Sequence, residues 1–293
     1  MSIRFFQPWP SLRDVIVRIY AHESPASEVA EPRWLIVPDG EIKLIFPIEG
    51  DIACTIGDAT RRHRAARVIV SGMRTLPGRL EFPHGVAAIG VIIRPEAVYR
   101  LIDIPHHELA NRTLDGEEVL GSAMARQWAD DWLNAGSTNG SGSGAEAGAR
   151  TARVERIQAA IHARLIALGG RVRREPGFEY AVRRLRQSSG GVRIEALADE
   201  IGWSRRHVAR QFTALAGVSP SALAGVVRFH TVYRQLRDAT TKALPAVASG
   251  LIYDYYYDHS HFLKDFKRYT GATPRGYLRD SGHDYGRLYI PGD

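Results

Sequence analysis

The chain has 293 residues, with 39 Lys and Arg against 32 Asp and Glu and a formal net charge of +7. That length suits about two domains, each able to bury a core, and 44% hydrophobic with 24% charged residues excludes a largely disordered chain. Cys54, the only cysteine, excludes a disulfide framework and a Cys-rich structural zinc site.

The opening run Met1-Ser2-Ile3-Arg4-Phe5-Phe6-Gln7-Pro8 lacks the apolar core of a secretion signal. The longest charge-free apolar run, residues 86–93, is far too short to span a bilayer. A cytoplasmic protein with no membrane contact is expected. Short apolar runs at residues 34–37, 42–47, 52–56, 68–70 and 86–93 predict strands, and Pro38-Asp39-Gly40 predicts a turn between the first two. The pattern turns helical over residues 95–102 and 117–133, the second with Val119, Leu120, Ala123, Met124 and Trp128 near one face. A Gly/Ser-rich stretch over residues 135–149 predicts a flexible linker. Its glycines do not fit a dinucleotide-binding fingerprint in register, and no apolar strand precedes them. Beyond it Val154, Ile157, Ile161, Leu165 and Leu168 recur at steps of three and four, an amphipathic helix. Two covers for that stripe stay open: the chain's own β-rich half, or a partner subunit.

Charge is unevenly spread. Residues 1–150 hold 16 Lys and Arg against 19 Asp and Glu, a net −3, whereas residues 151–293 hold 23 against 13, a net +10. A near-neutral half joined to a strongly basic one points to a polyanion partner for the second, although charge alone fits a solvated basic surface equally well. Only Lys43, Lys242, Lys264 and Lys267 are lysines. The arginines that make up the rest suit bidentate contacts to phosphate and guanine.

The second half contains a repeat. Residues 204–220 and 258–274 follow one pattern at a constant offset of 54 residues. Ser204 and Asp258 are good N-caps. The pairs Val208/Phe262, Phe212/Phe266 and Leu215/Tyr269 fall on one apolar helix face. Gly217 and Gly271 stand where each helix stops, and Ser219-Pro220 and Thr273-Pro274 open the next segment. Before the first copy, Ile194, Leu197, Ala198 and Ile201 mark a short helix and Gly202-Trp203-Ser204 a tight turn. A short helix, a turn and a capped second helix make a helix-turn-helix, a motif that commonly lays its second helix in the DNA major groove. At about 100° per residue, Arg206 and Arg210 point away from the core face, and Ser260 and Lys264 take the same positions in the second copy, with Lys267 nearby. Guanidinium, hydroxyl and ammonium groups on these outer faces can meet base edges or phosphates.

Residues from about 178 to 279 resemble the DNA-binding domain of the AraC/XylS family of bacterial transcription regulators. The resemblance rests on Leu197-Ala198, on Gly202-Trp203-Ser204-Arg205-Arg206-His207-Val208-Ala209-Arg210-Gln211-Phe212, on Gly217-Val218-Ser219-Pro220 and on Arg228-Phe229. The second copy adds Tyr257-Asp258-His259-Ser260-His261-Phe262, Asp265-Phe266 and Gly271-Ala272-Thr273-Pro274. It implies seven helices in two helix-turn-helix subdomains joined by a long helix, here from Pro220 to about Arg237. The family's base contacts would fall on Arg206, Ala209 and Arg210 in the first motif, and on His259, Ser260, His261 and Lys264 in the second. Ala209 is too short for a hydrogen bond and reaches only a thymine methyl. Arg205 and Lys267 complete the expected DNA-binding set, Lys267 toward phosphate. One departure stands out. Ala248 precedes Asp258 by ten residues, about three more than in the family, and residues 252–258 lack the family's turn glycine. An enlarged or register-shifted second turn is expected. In the first half, Pro38-Asp39-Gly40 before an apolar strand, Gly72, Arg94-Pro95 and residues 101–105 resemble a barrel-type N-terminal subgroup of the same family. That resemblance implies a β-barrel or cupin-like domain that binds effectors or dimerises.

Enzyme readings fare poorly. A cupin-like metal site needs a close His-x-His, which is absent. His63 and His84 are isolated in sequence, and the adjacent His106 and His107 point apart. There is no Gly-x-Ser-x-Gly elbow, Cys54 in an apolar strand reads as core, and a DNA-repair methyl acceptor would need a Cys-rich site. No enzyme activity, cofactor or metal is expected. The expected architecture is α+β: residues 1–134 form a β-barrel or cupin-like effector-binding or assembly domain with flanking helices, and 135–149 a linker. Residues 150–175 form a connecting or dimerisation helix, 176–282 an all-α domain with two helix-turn-helix motifs, and 283–293 a tail. The expected function is a sequence-specific, one-component transcription regulator. Its partners would be double-stranded DNA, a small-molecule effector, RNA polymerase if it activates, and a second copy of itself as a homodimer. The competing reading is a small-molecule-binding barrel protein with a degenerate DNA-binding domain.

Overall fold

The computed structural model describes residues 2–24, 33–135, 143–169, 174–238, 252–274 and 276–277. Residues 136–142 of the linker, Ala248 and the tail over 283–293 lie outside them. The first half carries the strands β1 (Ser2–Phe6), β2 (Ile16–Ser24), β3 (Arg33–Ile36), β4 (Ile42–Glu49), β5 (Ile52–Ile56), β6 (Ala59–His63), β7 (Ile69–Ser71), β8 (Gly78–Glu81), β9 (Val86–Ile93) and β10 (Thr113–Asp115). They form two antiparallel sheets, a six-stranded one in the order β1-β2-β9-β4-β7-β10 and a four-stranded one in the order β3-β8-β5-β6.

β9 explains why its sequence is continuously apolar rather than alternating. It lies between β2 and β4, and both of its faces are covered. Ile89, Val91 and Ile93 join Ile19, Leu44 and Phe46 under the helices. On the opposite face Ala88 joins Cys54 and Leu80 of the smaller sheet, and Phe82 just after β8. Gly90 is required here, because a Cβ would stand 2.0 Å from Cζ of Tyr20, whose ring fills the space between the sheets.

Two helical expectations change. Residues 95–102 contain only the 3-10 turn Val98–Arg100. Ala97, Val98, Tyr99, Leu101 and Ile102 are all buried, so the segment is a core plug rather than an amphipathic helix. The helix over 117–133 is split at Gly121 into α1 (Gly116–Leu120) and α2 (Ser122–Asn134). The break shifts the phase, leaving Ala123 exposed while Ala125, Trp128 and Trp132 are buried. α3 (Ser143–Gly169) starts within the Gly/Ser-rich stretch, ahead of residue 150. Its stripe is covered by the chain itself: Val154, Ile157 and Ile161 belong to the same core as β2, β4 and β9. The Trp9 backbone N–H donates to Gln158 Oε1 at 2.6 Å and its indole N–H to Glu155 Oε2 at 2.8 Å.

The second half holds α4 (Pro176–Gln187), α5 (Ile194–Glu200), α6 (Arg205–Ala216) and α7 (Pro220–Asp238), then a helical turn over residues 252–255 (α8) and α9 (His259–Thr270). No single helix among the described residues is long and apolar enough to cross a membrane.

The halves share a core. Phe178 of α4 meets Tyr99 edge-on at 6.0 Å and Phe212 of α6 edge-on at 5.2 Å. The Tyr99 hydroxyl donates to Glu179 Oε1 at 2.8 Å and accepts the Glu175 N–H at 2.9 Å. Burial, with Glu179 beside it, pushes that hydroxyl up to about 12. Burial also works to raise the Glu179 carboxyl, but Arg174 and Tyr99 bonded to it hold it below its ordinary value.

Buried histidines set an expected loss of stability in acid. Burial lowers His22 on β2 from 6.5 to about 4, and it lowers His106 as well. As pH falls through that interval, the unfolded chain takes up a proton that folded His22 refuses. Stability present above pH 6.5 is therefore lost toward pH 4, by roughly 3 kcal/mol for His22. Thermal melts should fall steadily over this range, and less steeply for His22→Gln; a wild-type melt that stays flat would contradict the burial of His22.

Candidate nucleic-acid interface

The first copy of the repeat forms as a helix-turn-helix. α5 buries Leu197 and Ala198. Its end is closed by the Gly202 N–H on Asp199 O at 3.2 Å and the Trp203 N–H on Ala198 O at 2.9 Å. Ser204 then caps α6, its Oγ accepting the His207 N–H at 3.2 Å. Val208 and Phe212 are buried, Leu215 packs beside them, and Gly217 ends the helix with φ +78°. Arg205, Arg206, Ala209 and Arg210 are all exposed. Their surroundings differ. Arg205 is drawn back to Glu195 of α5, at 3.1 Å. Arg210 donates to His207 Nδ1 at 2.9 Å, and the His207 ring stands edge-on to Trp203 at 4.4 Å. The Arg210 guanidinium is thus propped from the turn.

The second copy uses the same caps. Asp258 Oδ1 accepts the His261 N–H at 2.7 Å, and Gly271 ends α9 with φ +78°, its N–H on Lys267 O at 2.9 Å. Phe262, Phe266 and Tyr269 are buried, while His259, Ser260, Lys264 and Lys267 are exposed. His261 sits apart on the helix flank, edge-on to Tyr256 at 5.0 Å and 3.7 Å from Asp265. The turn before α9 differs from the first. Trp203 is half-buried, but Tyr257, 54 positions on, is 95% exposed. Burial passes instead to Tyr256, which packs on Phe262 at 5.4 Å with the Arg228 guanidinium over its ring.

Sequence patterns gave no sign that the β-rich half reaches α6. The 3-10 turn His106–Glu108 does so. His106 is buried, with Nδ1 2.5 Å from Leu215 O and Nε2 3.2 Å from Ile102 O. Burial lowers its pKa, against the pull of those two carbonyls. His107, by contrast, is exposed and walls an open groove of about 800 Å³ with Arg206, Ala209, Arg210 and Thr213. The His106 contact is made at the C-terminal end of α6, and His107 faces the groove beside its first turns.

His63 is not isolated, as its sequence neighbours suggested. Its Nδ1 is 2.7 Å from Asp115 Oδ1 and its Nε2 3.0 Å from Thr113 Oγ1, both on β10 of the other sheet. Among the described residues no group of three or more His, Cys, Asp or Glu is placed to hold a metal ion.

Residues 197–280 match the family described as a helix-turn-helix domain, and residues 4–115 match a domain of unknown function, DUF6597. No characterised protein matches the chain by sequence. Among solved structures, an apo variant of ToxT from Vibrio cholerae is 11% identical, covers 89% of this chain and 96% of its own, and gives a TM-score of 0.45. ToxT from the same organism with an unsaturated fatty acid bound is 10% identical over 95% of this chain and 97% of its own, with a TM-score of 0.45. A cupin domain of an XRE family regulator from Enterobacter cloacae is 14% identical over 32% of this chain and 96% of its own, with a TM-score of 0.25.

The two closing glycines give a matched test of the contact between the halves. Both have φ +78°, so Ala at either costs about 1–2 kcal/mol in backbone strain. A Cβ on Gly271 would meet nothing nearer than Pro77 Cγ at 4.0 Å, but one on Gly217 would stand 2.2 Å from His106 O. Denaturant unfolding should show Gly217→Ala losing clearly more stability than Gly271→Ala. Equal losses would mean that His106 is not seated on α6.

Proposed function

We propose that the chain, whose residues 197–280 match a helix-turn-helix domain, is a DNA-binding transcription regulator of the AraC type in which α6 and α9 each read a stretch of major groove while the β-rich half senses a small-molecule effector. The observation that carries this reading is the paired helices, 54 residues apart, with the same caps, the same buried face and cations on both outer faces. Arg206 and Arg210, one turn apart, can enter one groove and bridge guanine O6 and N7. Ala209 between them leaves room for a thymine methyl. Ser260 and Lys264 hold the equivalent places on α9, with His259 at its start and His261 on its flank. Arg205 and Lys267 serve phosphate. The β-rich half contacts α6 through His106, so a change there has a direct path to the reading helix. On this reading the protein acts in the cytoplasm. RNA polymerase is its partner if it activates, and a homodimer would double the DNA surface. The alternative, a binding barrel with a degenerate DNA domain, draws on the exposed Tyr257 and the altered second turn.

Binding-site selection from random DNA separates the two. Arg210→Ala should relax preference at one base pair at a cost of about 1–3 kcal/mol. Lys267→Ala should weaken all sequences alike and lower the salt slope by about one. Lys264→Ala should alter specificity less than Arg210→Ala, since the turn before α9 differs. An Arg210→Ala protein that selects an unchanged motif, or a wild-type protein that selects none, would defeat the reading.

A further inference from the structure

Arg210 is exposed, and a free arginine must give up rotamer freedom before its planar guanidinium can grip one base. On α6 that freedom is already reduced. Arg210 Nη2 donates to Nδ1 of His207, one turn earlier, at 2.9 Å. A guanidinium only donates, so Nδ1 carries no proton and offers its lone pair. The neutral ring then holds its proton on Nε2. The Gln211 side-chain amide lies 3.3 Å from that nitrogen, and its oxygen is the atom able to accept the proton. The ring is held in its turn. The His207 backbone N–H donates to Ser204 Oγ, and the imidazole stands edge-on to Trp203 at 4.4 Å. His207, Gln211 and Trp203 are all half-buried, whereas Arg210 reaches out to solvent. The second copy is built otherwise. His261 holds the equivalent place on α9, but it stands 3.7 Å from Asp265, which replaces Gln211. Lys264 there is a point charge rather than a planar fork, so its aim matters less.

We propose that His207 is a positioning residue for DNA reading: its Nδ1 lone pair, backed by Gln211 and Trp203, aims the Arg210 guanidinium so that α6 discriminates at one base pair. His207 uses one of the guanidinium N–H groups, and those that remain are enough to bridge guanine O6 and N7. A guanidinium free to swing would settle on whichever phosphate or base edge lay nearest. One held in a plane meets the guanine edge without further ordering, and that favours the matched base over the others. The inference rests on the reading of α6 as a recognition helix and adds to it the group that makes Arg210 selective.

The test is binding-site selection from random DNA with the full chain, followed by titration of the selected site. His207→Phe keeps a ring against Trp203 and removes the acceptor. It should relax preference at the base pair that Arg210→Ala relaxes, and lower affinity for the selected site about three- to tenfold, the factor expected when one long side chain must be ordered afresh. His207→Asn, whose amide oxygen can stand in for Nδ1, should retain both preference and affinity. Arg210→Ala combined with His207→Phe should bind no more weakly than Arg210→Ala alone, because both remove one contact. Thermal melts show whether each variant folds, and His207→Leu decides the matter if His207→Phe does not. Three outcomes would overturn the inference: a folded His207→Phe or His207→Leu protein with wild-type preference, a His207→Asn protein as relaxed as His207→Phe, or losses that add in the double variant. Any of these, with Arg210→Ala still relaxing its base pair, removes the role of His207 and leaves the regulator reading. A wild-type protein that selects no motif removes both.

Discussion

Phe178 joins two parts of the chain that the linker composition would keep apart. Its ring is buried between Tyr99, from the plug that follows β9, and Phe212, from the inner face of α6. Aromatic pairs of this edge-on kind are worth about 0.5–1.5 kcal/mol each beyond the area they bury. A helix is rigid, so fixing its inner face fixes its outer face too. The contact that seats Phe212 therefore also sets where Arg206 and Arg210 stand relative to the sheets. Glu179 adds direction, because a buried carboxylate shared by Tyr99 and Arg174 tolerates little sliding.

The second helix-turn-helix unit is held differently. Its core is smaller and aromatic, built from Phe229, Tyr233, Phe262, Phe266, Tyr269 and Tyr277, and the β-rich half adds Val37. The turn Pro38-Asp39-Gly40 next to Val37 lies on α7, where Gly40 sits close to Leu223, Val226 and Val227. Arg186 of α4 closes the joint on Glu41. The sheets thus touch one unit through His106 and Phe178, and the other through Val37. α7 runs between the two contacts.

The residues read from the repeat came through with their surroundings. Ser204 and Asp258 cap their helices, and Gly217 and Gly271 end them. The strands at 52–56 and 86–93 fall where their apolar runs stand. Others left no trace. β6 and β8 carry arginines, and β2 mixes Arg, Tyr, His and Glu with its apolar residues, so no clean alternation marks them. At 95–102 the apolar residues are buried all round, which a helical pattern cannot distinguish from a plug.

What the sequence determined by itself is whatever depends on near neighbours. Caps, turn glycines and one-sided helix faces arise from hydrogen bonds and sterics within about four residues, so the two capped helices and their outward cations were legible before any fold was known. The tertiary structure alone decided what covers α3, that His63 meets Asp115 and Thr113, that His106 rests on Leu215, and that Arg74 is buried. Most of these contacts join residues tens to more than a hundred positions apart. No local spacing records such pairs, because they exist only once the sheets and helices have packed and water has been excluded between them.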